Sequence, residues 1–169
     1  MTRKEPFEEA VEQHGGTVLR VCRAVLGYGP DADDAWSETF LAALRAWPDL
    51  GEGVNVEAWL VRVARNKAID VTRLRGRQAI PVAEVPEGPA VIDGGGSIDG
   101  RELWDAVAAL PERQRLAVAY HYFGGLSHVE TAELIGGSAQ AVRRAAADGI
   151  RNLRRTYGEY WRRQRDGRD

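Results

Sequence analysis

Between Trp59 and Arg77 the chain carries six cationic side chains and one carboxylate. At about 100° per residue, Leu60, Val63, Ala64, Ala68, Val71 and Leu74 fall on one arc of a helix. Arg62, Arg65, Asn66, Asp70, Arg73 and Arg77 fall on the opposite arc, and Trp59 sits at the junction. The cations suit phosphates, the amide and carboxylate suit base edges, and an indole offers a stacking platform. These are the parts of a surface that binds single-stranded nucleic acid. The same residues also fit a solvated helix face with Trp59 in the core. Lys67, on the apolar arc, departs from the pattern.

A second constellation lies between Ser127 and Arg155. "SHVETAELIGGSAQAVRRAA" reads as a helix, a glycine turn, Ser138 as N-cap and a second helix. Ala132, Gly136 and Val142 fall where a helix-turn-helix places a small residue, a turn glycine and a buried aliphatic. In that geometry the second helix enters the major groove with its N-terminal residues at base edges. Gln140, Arg143 and Arg144 are then the readers, Arg suiting guanine and Gln adenine. A plain helical hairpin with a basic end is the alternative.

Other elements must position these faces. Phe7, Val11, Val18, Leu19, Val21, Cys22 and Val25 outline a helical stripe from Pro6 to Leu26, interrupted by "HGG" at 14–16. "GYGP" breaks the chain. Asp31 is the expected N-cap of the next helix, with Asp33 and Asp34 in its first turn, where the helix dipole favours acids. Trp36, Phe40, Ala43, Leu44 and Trp47 form its core stripe, and Pro48 ends it. The cationic helix follows a Gly-rich loop and runs to about Arg75. Residues 79–100 hold three prolines and five glycines without periodicity, so they read as a linker. Helices resume at Arg101: "ELWDAVAAL", then "ERQRLAVAYHYFG", then the helix-turn-helix pair. The expected fold is all-α, with two small helical domains at 1–78 and 101–169 joined by a flexible acidic linker at 79–100.

Net charge is −2 over 169 residues, which hides an uneven distribution. Residues 1–78 are nearly balanced, 79–100 hold four acids and no Lys or Arg, and 101–169 carry a net +3. A single cysteine, Cys22, excludes an intrachain disulfide and a cysteine metal cluster; its apolar neighbours mark it as a core residue. His14, His121 and His128 show no metal-ligand spacing, and His121 and His128 read as partly buried or capping. "GGGS" at 94–97 has no following Lys, and no nucleophile elbow occurs, so no enzymatic activity, metal or cofactor is expected. The charged N-terminus does not read as a signal peptide. No apolar run approaches the roughly 20 residues of a membrane helix. A soluble, cytoplasmic protein without membrane insertion is expected.

The order of these segments is more specific than any of them. "DADDAWSETFLAALRAW", "VEAWLVRVARNKAIDVTR", an irregular linker, "LPERQRLAVAYHYFGGLSHVETAELIGGS" and a basic last helix closely resemble the extracytoplasmic-function (ECF) group of bacterial sigma-70 factors. The resemblance covers about residues 7–78 and 101–157. It implies regions 2 and 4 of such a factor, binding to core RNA polymerase through the β′ clamp and β flap, and promoter-specific initiation. Asp33, Asp34, Ser37, Glu38 and Leu41 correspond to the clamp contact. Trp59, Arg62, Arg65, Asn66, Asp70 and Arg73 correspond to the −10 strand grip, beside a loop that shapes a pocket for a flipped base. Ser138, Gln140, Arg143 and Arg144 correspond to the −35 reader. The acidic linker corresponds to a segment that threads the polymerase's basic channels, although a solubilising tether has the same composition. Many members are held by an anti-sigma factor. A sigma-like helix-turn-helix regulator that does not drive initiation is the alternative; it needs neither a docking helix nor a melting helix. Four positions depart from the family: Ser37, where Gln is usual, Gly137 in the turn, Asp148, where a cation is common, and Gly149 inside the last helix. A helix-interior glycine costs about 0.5–1 kcal/mol against alanine, so a less rigid reading helix is expected.

Overall fold

The computed structural model describes residues 5–77 and 98–166, with side chains over 5–76 and 100–158. The described backbone is helices and their connections. Helix α1 spans Phe7–Leu26, α2 Pro30–Ala46 and α3 Val56–Arg77; a 3-10 turn at Trp47–Asp49 follows α2. Helix α4 spans Ile98–Ala108 and α5 Glu112–Ala117, which runs into a π-helical segment at Val118–Phe123. Helices α6 (His128–Ile135) and α7 (Ala139–Asp166) complete the fold.

The first three helices enclose one core of Val18, Cys22, Ala32, Ala35, Phe40, Ala43, Leu60 and Ala64. Phe7, Trp36 and Trp59 close its rim, and the small alanines of α2 let the helix axes approach. Trp36 pins the middle of α1 by donating its Nε1–H to the Gly15 carbonyl at 2.9 Å. Helix α1 therefore runs unbroken through "HGG", contrary to the interruption read from sequence: packing against Trp36 and the flanking apolar residues outweighs the weak helix propensity of two glycines. Burial pushes the Cys22 thiol up to about 12, with the nearby Asp33 carboxylate adding to the shift.

Asp31 is not the N-cap of α2. Gly29 holds that position, Pro30 opens the helix where its missing N–H costs nothing, and Asp31 lies in the first turn, paired with Arg75 of α3. Two members of the expected apolar stripes also point outward: Leu44 is 51% and Leu74 56% exposed. Conversely Val61, off the expected apolar arc, is fully buried.

The second half has its own core of Trp104, Val107, Leu110, Val118, Ala119 and Leu153, extended by Ala117, Val142 and Ala146 under the helix-turn-helix. The π-helical segment arises where the Gly124 N–H bonds to Ala119 O at 2.9 Å, five residues back. The wider turn sends Val118 and Ala119 into this core and Tyr120 toward the first half. Gly149 marks the crossing of α7 over α5. A Cβ there would lie 2.7 Å from Val118 Cγ2 and 3.3 Å from the Gln114 carbonyl oxygen. The departure noted in the sequence is thus a packing requirement.

The two halves are also packed on each other, although the segment between them reads as a flexible linker in the sequence. Val21, Ala58 and Val61 meet Tyr120 and Leu126 in a shared cluster, and Ala24 of α1 joins the second core. The linker read at 79–100 lies outside the described residues up to 97, and 98–100 already belong to α4.

Candidate nucleic-acid interface

Helix α2 buries Ala32, Ala35, Thr39, Phe40 and Ala43. Its other face exposes Asp33, Asp34, Ser37, Glu38 and Leu41. The acids follow from the helix start, where they meet the dipole's positive end. Leu41 at 48% exposure and Leu44 at 51% place apolar surface directly beside them. All five residues expected to dock a partner thus share one solvent-facing strip of acids ending in leucine.

Helix α3 is capped by Asn55, whose Oδ1 accepts from the Ala58 N–H at 3.1 Å. Leu60, Val61, Ala64 and Ala68 anchor the helix in the protein. Asn66, Asp70 and Arg73 are exposed. Trp59 is half-buried, its ring 6.3 Å from that of Trp47, so it belongs to the rim of the core with part of its indole open. Arg62 and Arg65 depart from the expected free face. Arg62 lies 3.8 Å from Glu130 and 3.7 Å from Glu133. Arg65 donates to the Leu134 carbonyl at 3.0 Å and to Asn66 Oδ1 at 3.2 Å. Lys67, the apparent blemish, is half-buried.

The helix-turn-helix is held by caps and by one long reach. Ser127 and Glu130 form a reciprocal capping box on α6: Glu130 N–H donates to Ser127 Oγ at 3.0 Å, and Ser127 N–H to Glu130 Oε2 at 2.8 Å. The Ser127 N–H, then the Ser127 side chain and the Arg62 guanidinium, hold the Glu130 carboxyl below its ordinary range. The S-x-x-E pattern "SHVE" signals this box in the sequence. Gly136 and Gly137 make the turn with φ of +85° and +82°, the left-handed region that glycine enters without penalty. Arg113 of α5 donates to the Gly136 carbonyl at 2.7 Å, a partner 23 residues away that no local pattern signals. Ser138 caps α7 by accepting from the Ala141 N–H at 3.1 Å. Val142 is fully buried, which fixes the rotation of α7. Gln140, Arg143 and Arg144 consequently stand exposed on its first turns.

His121 and His128 stack with ring centroids 3.9 Å apart, and His121 Nδ1 donates to the Leu126 carbonyl at 2.7 Å. Desolvation, then His121 and Arg143, lower the pKa of His128. Among the described residues no cluster of three or more His, Cys, Asp or Glu could hold a metal ion. No helix among them is long and apolar enough to cross a membrane.

The arrangement therefore offers an acidic-apolar strip, a cationic helix with an aromatic edge and a capped helix-turn-helix. The sigma-70 region 2 family model matches residues 10–79, and the sigma-70 region 4 model matches residues 100–153. The chain is 31% identical over 157 residues to "ECF RNA polymerase sigma factor SigE" of Mycolicibacterium smegmatis, covering 88% of this chain and 60% of that one. It is 32% identical over 162 residues to "ECF RNA polymerase sigma factor BldN" of Streptomyces coelicolor, covering 89% and 60%. The alignments thus take in less than two thirds of either relative. In fold the chain is similar to the sigma factor RpoE from Bartonella quintana, solved with the anti-sigma factor NepR: TM-score 0.69, 21% identity, 88% of this chain and 94% of that one. It is also similar to CnrH, solved with the cytosolic domain of CnrY: TM-score 0.61, 22% identity, 90% and 88%. With regions 2 and 4 matched in order on the two helical halves, and ECF sigma factors aligned along most of its length, the chain belongs to the extracytoplasmic-function group of the sigma-70 family.

Proposed function

We propose that this chain is an RNA polymerase sigma factor that directs promoter-specific initiation and carries out no enzymatic chemistry of its own. The observation that carries the reading is the coexistence of three chemically different surfaces on one chain, in the order of the two matched regions. The strip Asp33, Asp34, Ser37, Glu38 and Leu41 docks the β′ clamp of core polymerase. Its acids steer the encounter with a basic partner, and Leu41 supplies the apolar contact. Trp59, Arg62, Arg65, Asn66, Asp70 and Arg73 hold the melted −10 strand. Cations neutralise phosphates while the indole edge and polar side chains meet extruded bases, which offsets the few kcal/mol of unstacking. Ser138, Gln140, Arg143 and Arg144 read the −35 element as duplex, with Gln140 and the arginines toward base edges. The domain division at 1–78 and 101–169 follows the same assignment, the second half also meeting the β flap. An anti-sigma factor is a further expected partner, since RpoE, a solved relative of like fold, was captured with one. The polymerase partner places the activity in the cytoplasm.

Run-off transcription with core polymerase from the same source, on genomic fragments, tests this. Discrete transcripts only when the protein is added support it, and their starts reveal both promoter elements. No transcripts together with no co-elution with core enzyme would replace it with a helix-turn-helix regulator.

A further inference from the structure

Two histidines lie outside the three surfaces assigned above. His121, in the π-helical segment, and His128, the first residue of α6, stack with ring planes inclined by 21° and centroids 3.9 Å apart. The first ring is anchored. His121 Nδ1 lies 2.7 Å from the carbonyl oxygen of Leu126, a buried residue. A carbonyl can only accept, so Nδ1 carries the hydrogen and Nε2 is left free. The Tyr122 ring also meets that of His121 edge-on, at 5.0 Å. Both imidazoles are half-buried. In the free chain a proton on His128 is opposed by desolvation first, then by His121 and by Arg143 of α7, which together lower it below 6.5. The positive end of the α6 dipole acts in the same sense. The acid on the same turn, Glu130, gives little relief: it accepts from the Ser127 N–H and lies 3.8 Å from Arg62 of α3.

We propose that His128, stacked on His121, is a phosphate contact of the −35 complex that forms only on taking up a proton, so that the chain's hold on that duplex tightens as pH falls from about 8 to about 6. The inference rests on reading α7 as the −35 helix. In a helix-turn-helix the second helix enters the major groove while the first crosses the DNA backbone. Helix α6 is that first helix. It opens with His128 and Val129, the latter 59% exposed. His128 is also within electrostatic range of Arg143, one of the readers. A phosphate beside His128 reverses the balance of the free chain. It stabilises the imidazolium, offsets the charge of Arg143 and raises the pH at which His128 titrates. Duplex binding therefore takes up a proton. Affinity rises as pH falls through the bound-state value and levels off below the free-state value, which lies under 6.5.

The test is anisotropy of the full-length protein on a fluorescein-labelled duplex of about 20 base pairs carrying the −35 element that run-off transcription maps, long enough for one region 4 footprint. Affinity is measured at pH 6, 7 and 8 and over a range of salt at each pH. The expected gain from pH 8 to pH 6 is about threefold to tenfold. The slope of log affinity against log salt should steepen by about 0.9 at pH 6, the signature of one added phosphate contact. His128→Gln should hold affinity near the wild-type pH 8 value throughout. His128→Lys carries a fixed charge and should bind at every pH at least as tightly as wild type at pH 6; it makes the test if His128→Gln loses helical circular dichroism. His14, the third histidine, lies against Glu5 and Glu57 in the first half, and His14→Gln should keep the wild-type profile. A flat wild-type profile, equal salt slopes at pH 6 and 8, or a pH dependence that survives in either His128 variant each overturn the contact. Arg144→Ala separates this from the reading beneath it. If it weakens binding while the wild-type profile is flat, the proton-linked contact alone falls. If it binds like wild type, the −35 reading falls and the contact with it.

Discussion

Gly149 poses a conflict between helix propensity and packing, and the structure decides its sign. In a helix interior, Gly→Ala is worth about 0.5–1 kcal/mol in favour of alanine. At position 149 the new methyl would stand 2.7 Å from Val118 Cγ2, 3.3 Å from the Gln114 carbonyl and 3.5 Å from Gln114 Cβ. Val118 is fully buried and cannot swing aside, and the carbonyl is backbone. Overpacking of this kind costs about 1–3 kcal/mol. Gly149→Ala should therefore destabilise by about 1 kcal/mol net, a fall in melting temperature of about 2–4 °C for a chain of this size. Gly158 is the control, since it lies in the same helix with nothing within 4 Å of its would-be Cβ. Gly158→Ala should raise stability by up to about 1 kcal/mol. Both are read by urea and thermal unfolding followed by far-UV circular dichroism. A rise in stability for Gly149→Ala that equals the rise for Gly158→Ala would refute the close crossing of α5 and α7.

Arg143→Ala and Arg144→Ala should each weaken binding to a −35 duplex by about 1–3 kcal/mol while leaving melting unchanged, since both are exposed; anisotropy against the mapped promoter checks this, and unchanged affinity in both would misplace the reading helix. Ser127→Ala removes half of the capping box and should cost about 1 kcal/mol of stability. The Glu130 carboxyl is held below 4.5 in the fold, so its contribution is complete above that pH and lost as pH falls through the lowered value. Glu130→Gln should therefore flatten the acid limb of a stability-versus-pH curve, and an unchanged limb would contradict the box. The Cys22 thiol, 1% exposed and pushed up to about 12, should resist a disulfide-exchange reagent at pH 8 and react only at the rate at which the chain opens; immediate labelling would contradict its burial.

Local chemistry was enough to read most of the elements and several of their faces. The acids at the start of α2, the apolar period of α3 and the Gly-Gly turn before Ser138 each act within one or two helical turns, so they are legible without a partner. The exposed strip on α2 and the exposed readers on α7 follow from that periodicity once one anchoring residue, Phe40 or Val142, is known to be inside. A helical wheel, however, assigns an arc and cannot say how many neighbours cover it. Leu44 and Leu74 sit on apolar arcs yet face outward, because none of the described helices covers them. Val61 sits off its apolar arc yet is fully buried, because the second half covers it. Gly15 and Gly16 read as a break, but Trp36, about twenty positions away, pins the helix through them. Gly149 read as a weakness of the last helix, and Arg113 carried no signal at all; both take their roles from contacts more than twenty residues distant. The partners of Arg62 and Arg65 are of the same kind. Sequence alone determined which segments are helices and which faces carry charge, because spacing and capping act over a few residues. Tertiary structure decided which of those charges stand free, because that depends on contacts between segments far apart in the chain.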